Sequence, residues 1–210
     1  MFGNGLEYSY HTVMILLSSS SSARKILLQR LRLQFDTYSP DVDETPLPDE
    51  TVTETVRRLS IDKAHTASTL YPHHLIIACD QLLSVNKQIL GKPLTHEHAV
   101  QQLKLCSGNL LHSYTALTLL NAQTEHQQTM IAEYQVQFRL LSTEVIENYL
   151  RLDQPYHCAG SIKAESLGIC LFEWMRGDDP SALTGLPLIA LTKMLENEGV
   201  YPLELKEDIR

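Results

Sequence analysis

The chain has 210 residues, of which 43% are hydrophobic and 20% charged, the composition of an ordinary globular protein with a sizeable core. Its formal net charge of −8 argues against broad binding to nucleic acid or to an anionic membrane, since both need a basic surface. A local basic pocket for a small anion such as a nucleotide is still compatible with this charge.

The cysteines and the start of the chain indicate the compartment and the domain plan. Four scattered cysteines without a Cys-x-x-Cys pair predict reduced core thiols of a cytoplasmic protein: Cys79, Cys106, Cys158 and Cys170. The first apolar run, 13–17, is too short for a membrane span or for the core of a signal peptide. We therefore expect a flexible extension over residues 1–12 and a single domain over residues 13–210.

Strands and helices alternate in the first part of the chain. The apolar run 13–17 predicts a buried strand, which a serine-rich turn joins to a helix over 24–32. A second strand is predicted over 35–38. Thr51 followed by Glu54 has the form of a capping box and predicts a helix that ends near residue 68.

In the second part of the chain, predicted strands also follow one another directly. A buried strand over 75–79 is expected to end at Asp80, and Asn86 with Lys87 is expected to turn a small hairpin. The remaining predicted elements are a helix from Thr95 to Lys104, paired strands over 110–120 and 133–141, a helix from Ser142 to about Arg151, a short strand near 169–172, and a helix with Pro187 near its first turn. This mixture predicts an α/β or α+β protein.

The segment Ser19–Lys25 has the residues of a phosphate-binding turn. Serine hydroxyls and the free amides of a helix start donate hydrogen bonds to an anion, and Arg24 and Lys25 add positive charge. No Gly-Lys-Ser/Thr follows, so this is not a Walker loop. Serine-rich turns before helices are also commonly plain caps.

Asp80 is the residue that the pattern singles out for chemistry. A carboxylate at the end of a buried strand lies where α/β proteins place ligands, and it can bind a cation or accept a proton from water. A cap for a turn or helix is an equally good interpretation from the sequence alone. Gln81 beside it is predicted to orient the same water or a base edge.

Further charged residues are weaker candidates. Asp41, Asp43 and Glu44 form an acidic cluster that is more typical of a solvated loop when taken alone. Lys63 falls within a predicted helix, and Lys92 lies between Gly91 and Pro93, a context that restricts the backbone and is suited to aim the lysine at a ligand.

Histidines, cysteines and the tryptophan are assigned structural roles. His157 beside Cys158 lacks the spacing of zinc ligands, and no partner for a cysteine nucleophile is indicated. His96 and His98 are two residues apart and face different sides of a helix. Trp174 is expected in the core or at the wall of a cleft.

Taken together and in order, these segments resemble the Maf family of nucleoside triphosphate pyrophosphatases, over about residues 14–199. The segments that carry the resemblance are 17–25, 41–46, Lys63-Ala64, 76–81, Gly91-Lys92-Pro93-Leu94, Ser107-Gly108-Asn109, 157–161 and Gly185-Leu186-Pro187. The resemblance implies an α/β fold, a Maf/ITPase-like mixed sheet with flanking helices and a central cleft between two lobes, usually as a homodimer.

The resemblance also implies an activity and roles for residues. The expected reaction is hydrolysis of a nucleotide between its α- and β-phosphates with Mg²⁺ or Mn²⁺, giving a monophosphate and pyrophosphate. Asp80 corresponds to the proton acceptor and, with Glu44, to the metal ligands. Lys63 and Lys92 match further catalytic positions. Substrate contacts are expected from Ser19, Ala23, Arg24, Lys25, Gln81 and Glu165.

The segments 157–161 and 163–165 are most similar to the branch of the family that prefers 7-methyl-GTP. That branch has proline and tryptophan where this chain has Ser22 and Ala23, and arginine where it has Lys25. Tryptophan can stack on a positively charged methylated base through cation–π attraction, which alanine cannot. Glu165 remains available to accept hydrogen bonds from a guanine edge, so the expected substrate is 7-methyl-GTP or another modified nucleotide.

Two other functions are compatible with the sequence. Some family members carry a name tied to inhibition of septum formation, so a nucleotide-binding regulator of cell division with little turnover is the alternative. A phosphatase that removes the terminal phosphate is another. Neither nucleic acid nor a membrane is an expected partner.

Overall fold

The computed structural model describes residues 13–204, and these form one mixed sheet with helices on both faces. The strands are β1 (Ile15–Ser18), β2 (Asp36–Tyr38), β3 (Leu75–Val85), β4 (Gln88–Leu90), β5 (Leu110–Asn121), β6 (Gln127–Phe138) and β7 (Phe172–Gly177). The α-helices are α1 (Ser22–Gln29), α2 (Val52–Ser68), α3 (His96–Cys106), α4 (Thr143–Asp153) and α5 (Leu188–Asn197). Short 3₁₀ turns lie at Ala159–Ser161, Leu167–Leu171 and Ala182–Thr184.

The sheet combines parallel and antiparallel pairing. The strand order is β2-β1-β3-β5-β6-β7, and the short strand β4 pairs only with β3. Strand β1 runs parallel to β2 and to β3, while β3, β5, β6 and β7 follow one another antiparallel. The parallel connections pass through α1 and α2, as parallel strands need a crossover segment. The expected α/β fold with a mixed sheet and flanking helices is confirmed.

Alternation along β1 and β3 assigns their side chains to two different cores. Leu16, Ile76 and Ala78 pack with Ala64 and Ala67 of α2 on one face. Their neighbours in the strands point the other way and form a second core with α1 and α5; that core includes Leu17, Ile77, Cys79, Leu27, Leu28, Leu191 and Leu195. Because successive strand residues face opposite sides, Asp80 and Gln81 are presented to opposite faces of the sheet.

A third core lies at the far end of the long strands. Leu83 and Val85 of β3 pack there with α3, α4 and the ends of β5 and β6; other members are Leu103, Leu111, Val136, Phe138, Ile146 and Leu150. Burial along β3 is complete except at Gln81 and Leu82, which are half-buried. Asp80 and Gln81 therefore lie where β3 passes from the first two cores to the third.

The helix starts follow the predicted caps. Thr51 and Glu54 form the capping box at the start of α2, and Thr95 and Ser142 cap α3 and α4 through their hydroxyls. Ser21 caps α1 by accepting a hydrogen bond from the amide of Arg24. The starts of α2, α3 and α4 are confirmed, because a cap depends on residues only three positions apart. Helix α1 begins and ends earlier than the predicted 24–32, since Ser21 caps it and it ends at Gln29.

Three predictions about strands need correction. Strand β3 does not end at Asp80 but continues to Val85. Antiparallel pairing with β5 along this whole length provides partners for the backbone N–H and C=O groups of β3. Strand β6 begins at Gln127, earlier than residue 133, and ends at Phe138. The segment 169–171 is part of a 3₁₀ turn, and the last strand begins only at Phe172.

The cysteines and the tryptophan differ in part from expectation. All four thiols are free; Cys79 and Cys106 are buried, Cys158 is half-buried, and Cys170 is exposed, so Cys170 is not a core thiol. Trp174 is not in the core either, since it is 38% exposed on the edge strand β7 with the guanidinium of Arg176 over its ring. The predicted extension over 1–12 lies outside the described residues.

Candidate active site

Lys63 joins the two carboxylates that the sequence singled out. Its ammonium nitrogen lies 2.5 Å from Oδ1 of Asp80 and 2.7 Å from Oε1 of Glu44. Asp80 is only 7% exposed, whereas the Glu44 side chain is 65% exposed in the loop before α2. The structure thus brings together three residues that lie far apart in the sequence, with one cation between two anions.

The fold explains why Lys63 reaches Asp80. Asp80 has the same orientation in β3 as Ile76 and Ala78, which face α2. Lys63 lies in α2, one residue before Ala64 of that same packed face. Its backbone carbonyl accepts a hydrogen bond from the Ser18 hydroxyl at 3.0 Å, which ties this turn of α2 to the end of β1.

Burial and charge act in opposite directions on the two carboxyl groups. Burial raises the pKa of Asp80, against the lowering effect of the Lys63 and Arg24 charges. The hydrogen bond from Lys63 is the main cause that lowers the pKa of Glu44, and the charges of Lys63, Lys92 and Arg24 lower it further. Asp80 is therefore a stronger base than an ordinary aspartate, while Glu44 remains a stable anion.

Arg24 holds three segments together beside these carboxylates. Its Nε donates to the Gly185 carbonyl at 2.9 Å, and its Nη1 donates to the Cys79 carbonyl at 2.8 Å and to the Ser19 hydroxyl at 3.3 Å. Ser19 also accepts from the amide of Ser21 at 3.2 Å. The predicted turn and its arginine are thus joined to the middle of β3, with Arg24 half-buried.

Gln81 faces the opposite side of the sheet from Asp80. Its amide nitrogen donates to the carbonyls of Ala182 and Leu183 at 3.1 and 2.9 Å and to the Ser113 hydroxyl at 3.0 Å. These bonds engage the donors of the side chain. Gln81 therefore fixes the turn Ala182–Thr184, and its expected role toward a water or a base edge stays a prediction.

Gly185 shows how tightly this turn packs on the site. Its φ is +99°, and a Cβ there would lie 3.2 Å from Nε of Arg24 and 3.3 Å from Oε1 of Gln81. A larger residue would push against both side chains and would adopt a backbone conformation that favours glycine.

Lys92 follows the hairpin of β3 and β4 back toward the site. Leu90, the last residue of β4, pairs with Leu83 of β3, and Lys92 lies two residues further along the returning segment. Its charge contributes to the lowered pKa of Glu44, and its side chain is exposed beside a cavity of about 280 Å³ that Gln102 and His98 also line.

The other predicted substrate residues are not joined to this cluster by hydrogen bonds within 13–204. Ala23 is half-buried and Lys25 exposed, both in α1 next to Arg24. Glu165 is exposed and lies in a separate segment near Cys158. Burial is the main cause that raises the pKa of the Cys158 thiol, which argues against a nucleophile, since the thiolate is the reactive form.

Sequence reasoning missed the residues that support the site from behind. Thr115 donates to the Ala182 carbonyl at 3.0 Å, and Asp179 accepts hydrogen bonds from the Ser181 amide and hydroxyl and from the Ile189 amide. Asp179 thereby fixes the turn that carries Gly185 to the start of α5. The Asp-x-Ser spacing is the local signal that predicts such a turn.

Two carboxylates, Glu44 and Asp80, are the candidate ligands for a divalent cation. Among residues 13–204 no group of three His, Cys, Asp and Glu side chains is placed to hold an ion together. Glu44 and Asp80 already hold a cationic nitrogen between them at 2.5 and 2.7 Å. Mg²⁺ is commonly held by one or two carboxylates together with substrate phosphates, and this pair fits that arrangement.

Comparison with known proteins places the chain in a family. The model of the family described as Maf-like protein matches residues 14–198. A protein of Nitrosococcus oceani named 7-methyl-GTP pyrophosphatase is 48% identical over 188 residues, which cover 90% of this chain and 94% of that protein. The chain therefore belongs to the Maf-like protein family, as its motifs indicated.

One solved structure supports the fold, and a second is less similar. The Staphylococcus aureus Ham1 protein superposes with a TM-score of 0.51 at 12% identity, covering 88% of this chain and 99% of that one. Protein VC0702 from Vibrio cholerae matches with a TM-score of 0.41 at 13% identity over 90% of this chain and 98% of its own. Over residues 13–204, no helix is both long enough and apolar enough to cross a membrane.

Proposed function

We propose that this protein is a nucleoside triphosphate pyrophosphatase that hydrolyses 7-methyl-GTP or a related modified nucleotide to its monophosphate and pyrophosphate. The observation that carries the chemistry is the buried Asp80 carboxylate, bonded to Lys63 and flanked by Glu44 and Arg24. The 48% identical relative named 7-methyl-GTP pyrophosphatase supports the substrate. The regulator without turnover is not favoured, because that relative carries the name of an enzyme.

In the proposed reaction Asp80 accepts a proton from the water that attacks the α-phosphorus. The bond from this phosphorus to the bridging oxygen breaks, and its electron pair leaves with pyrophosphate. Lys63, Lys92 and Arg24 supply positive charge where the leaving group becomes more negative. The elevated pKa of Asp80 suits this role, because a base works best with a pKa closer to the working pH.

Glu44 and Asp80 are the residues that would hold a divalent cation with the phosphates, and Mg²⁺ or Mn²⁺ is the proposed ion. Such an ion, when bound, supplies Lewis-acid activation of the water. Lys63 bridges both carboxylates and offsets part of their negative charge before substrate binds. The cytoplasm is the proposed compartment, and a homodimer with a cleft between two lobes is the proposed assembly.

The base is proposed to be a purine recognised partly by Glu165. Ala23 offers no aromatic ring for a methylated base, so hydrogen bonds to the guanine edge are proposed to carry most of the selection. Lys25 and Ser19 are proposed to contact phosphate together with Arg24, since the three lie on one turn.

The test is pyrophosphate release from 7-methyl-GTP, GTP, UTP, dTTP and CTP with Mg²⁺ or Mn²⁺. Selective turnover of 7-methyl-GTP is the expected result. Turnover of a different nucleotide would keep the chemistry and overturn the specificity. Release of orthophosphate in place of pyrophosphate would identify a phosphatase. If the folded protein turns over none of these nucleotides, the nucleotide-binding regulator becomes the favoured function.

A further inference from the structure

The side-chain amide of Gln102, in α3, links two segments that lie beside the proposed active site. Its Nε2 donates to the Gly91 carbonyl at 3.0 Å, and its Oε1 accepts from the Ser161 hydroxyl at 2.6 Å. Gly91 immediately precedes Lys92. The same amide thus holds the residue before an active-site lysine and a residue of the 3₁₀ turn Ala159–Ser161.

The Gly91 carbonyl has a second donor from the same turn. The amide of Gly160 donates to it at 3.1 Å. Gly160 and Ser161 have φ values of +65° and +60°, and the Ser161 side chain is fully buried. A serine in the left-handed region is strained, and such strain persists only where surrounding contacts enforce it. Here the Ser161–Gln102 hydrogen bond is one of those contacts.

Gly91 and Lys92 are exposed between two buried residues, Leu90 and Pro93. A Cβ built on Gly91 would have no atom within 4 Å, and the Lys92 side chain is exposed beside a cavity of about 280 Å³. Within this exposed pair, two hydrogen bonds converge on the Gly91 carbonyl and hold it between the buried neighbours. The position of the Lys92 ammonium depends on them, because a small shift of the backbone is amplified along a long side chain.

We propose that Gln102 is a positioning residue for the pyrophosphatase reaction, which acts through the Gly91 carbonyl and sets the location of Lys92, with Ser161 orienting its amide. This inference rests on the proposed function. Gln102 touches neither of the carboxylates that Lys63 joins, so its contribution is made through Lys92. Its effect disappears when Lys92 is absent.

The experiment is a double-mutant cycle on pyrophosphate release. Gln102→Ala should lower kcat/KM about tenfold, within the range that small misplacements of catalytic groups produce. Lys92→Ala should lower it about 100-fold, as for other removed charge-stabilising contacts. The double variant should equal Lys92→Ala alone. The matched control is Gln101→Ala, which should leave kcat/KM unchanged. Gln101 is an exposed glutamine that directly precedes Gln102 in α3 and lines the same cavity.

Ser161→Ala provides a second variant, because it keeps the bond from Gln102 to Gly91 while freeing the amide to rotate. It should lower kcat/KM by less than Gln102→Ala does. Thermal unfolding of each variant shows that it is folded. If Gln102→Ala matches the wild type, or lowers the Lys92→Ala rate by a further tenfold, the inference is wrong while the function stands. A folded wild type that releases no pyrophosphate overturns both.

Discussion

Asp80 combines two properties that usually exclude each other. It is buried enough for its pKa to rise, yet it remains bonded to Lys63 and close to Arg24, whose charges favour its ionised form. Burial alone would leave a neutral acid, and full exposure would leave a weak base. The arrangement is suited to a carboxylate that must accept a proton and release it again in each turnover.

Substitution of Asp80 by asparagine should remove this base while keeping a side chain of nearly the same size and shape. We expect pyrophosphate release to fall by about 10²–10⁴-fold, the usual contribution of general-base catalysis. Thermal unfolding should remain close to that of the wild type, since asparagine can still accept the Lys63 hydrogen bond. Retention of most of the activity would show that Asp80 is not the base. Asp49→Asn, at an exposed residue of the neighbouring loop, is the control.

The pH profile of kcat/KM should reflect the raised pKa of Asp80. The reaction needs the ionised carboxylate, so activity should rise with pH through the folded-state pKa, which burial places above the usual aspartic value of about 3.9. The acidic limb of the profile is the measurement, taken at low metal, because a bound cation lowers the pKa of the carboxylate that holds it. An acidic limb centred at or below about 3.9 would contradict this assignment.

At the scale of elements, helix α2 and the loop before it work as one unit. Arg58 of α2 donates to both carboxylate oxygens of Glu50 at 2.8 and 2.9 Å and to the Thr45 carbonyl at 3.1 Å. Glu44 is the neighbour of Thr45 in this loop. The same helix carries Lys63, so the Arg58 contacts hold the loop where Glu44 can meet that lysine.

Glu50 should therefore contribute a pH-dependent part of the stability. The Arg58 hydrogen bonds are the main cause that lowers the pKa of Glu50 to about 2. A carboxyl with a lowered folded-state pKa stabilises the protein above its unfolded value of about 4.3, and this stabilisation is lost as the pH falls toward 2. In urea titrations from pH 7 to pH 2.5, Glu50→Gln should lower the free energy of unfolding at pH 7. The difference in the free energy of unfolding between Glu50→Gln and the wild type should become smaller at acidic pH.

The matched control for Glu50 is again Asp49→Asn, because residue 49 is exposed in the same loop with a φ of +63° that asparagine tolerates. It should follow the wild type across the titration. A constant difference between Glu50→Gln and the wild type at all pH values would contradict a role for the Glu50 charge.

At the scale of the whole molecule, Arg24 connects the beginning, middle and end of the chain. Its acceptors at Cys79 and Gly185 lie 55 and 161 residues away in sequence. The arginine thus fastens α1 and the turn before α5 to strand β3. The cores on the two faces of the sheet, against α2 and against α1 and α5, both include residues of β1 and β3. The active-site arginine therefore also contributes to the assembly of the fold.

Arg24→Ala should consequently reduce both stability and activity. The carbonyls of two buried residues lose their charged donor, and we expect the free energy of unfolding to fall by about 2 kcal/mol. Arg24→Lys keeps the charge but not the fork of donors, so it should recover little of the stability. Urea unfolding with linear extrapolation gives both values. Equal stability of all three proteins would show that the guanidinium bonds are not structural.

Much of the local structure could be read from the residues in order. The Thr51–Glu54 capping box, the caps at Thr95 and Ser142 and the turn at Asn86–Lys87 appear where they were predicted, because each depends on neighbours in the chain. The ordered motifs around Asp80 and Lys63 also identified the family, which the match over residues 14–198 confirms.

The arrangement of the site depended on contacts between distant segments. Sequence placed Asp80 at the end of a strand, but pairing with β5 carries β3 five residues further, and its alternation separates Asp80 from Gln81. Nothing local indicated that Lys63 lies between Asp80 and Glu44, or that Arg24 binds backbone carbonyls at Cys79 and Gly185. Caps and turns depend on the order of a few neighbouring residues, so the sequence predicts them. Ion pairs and burial arise only when the sheet brings remote residues together.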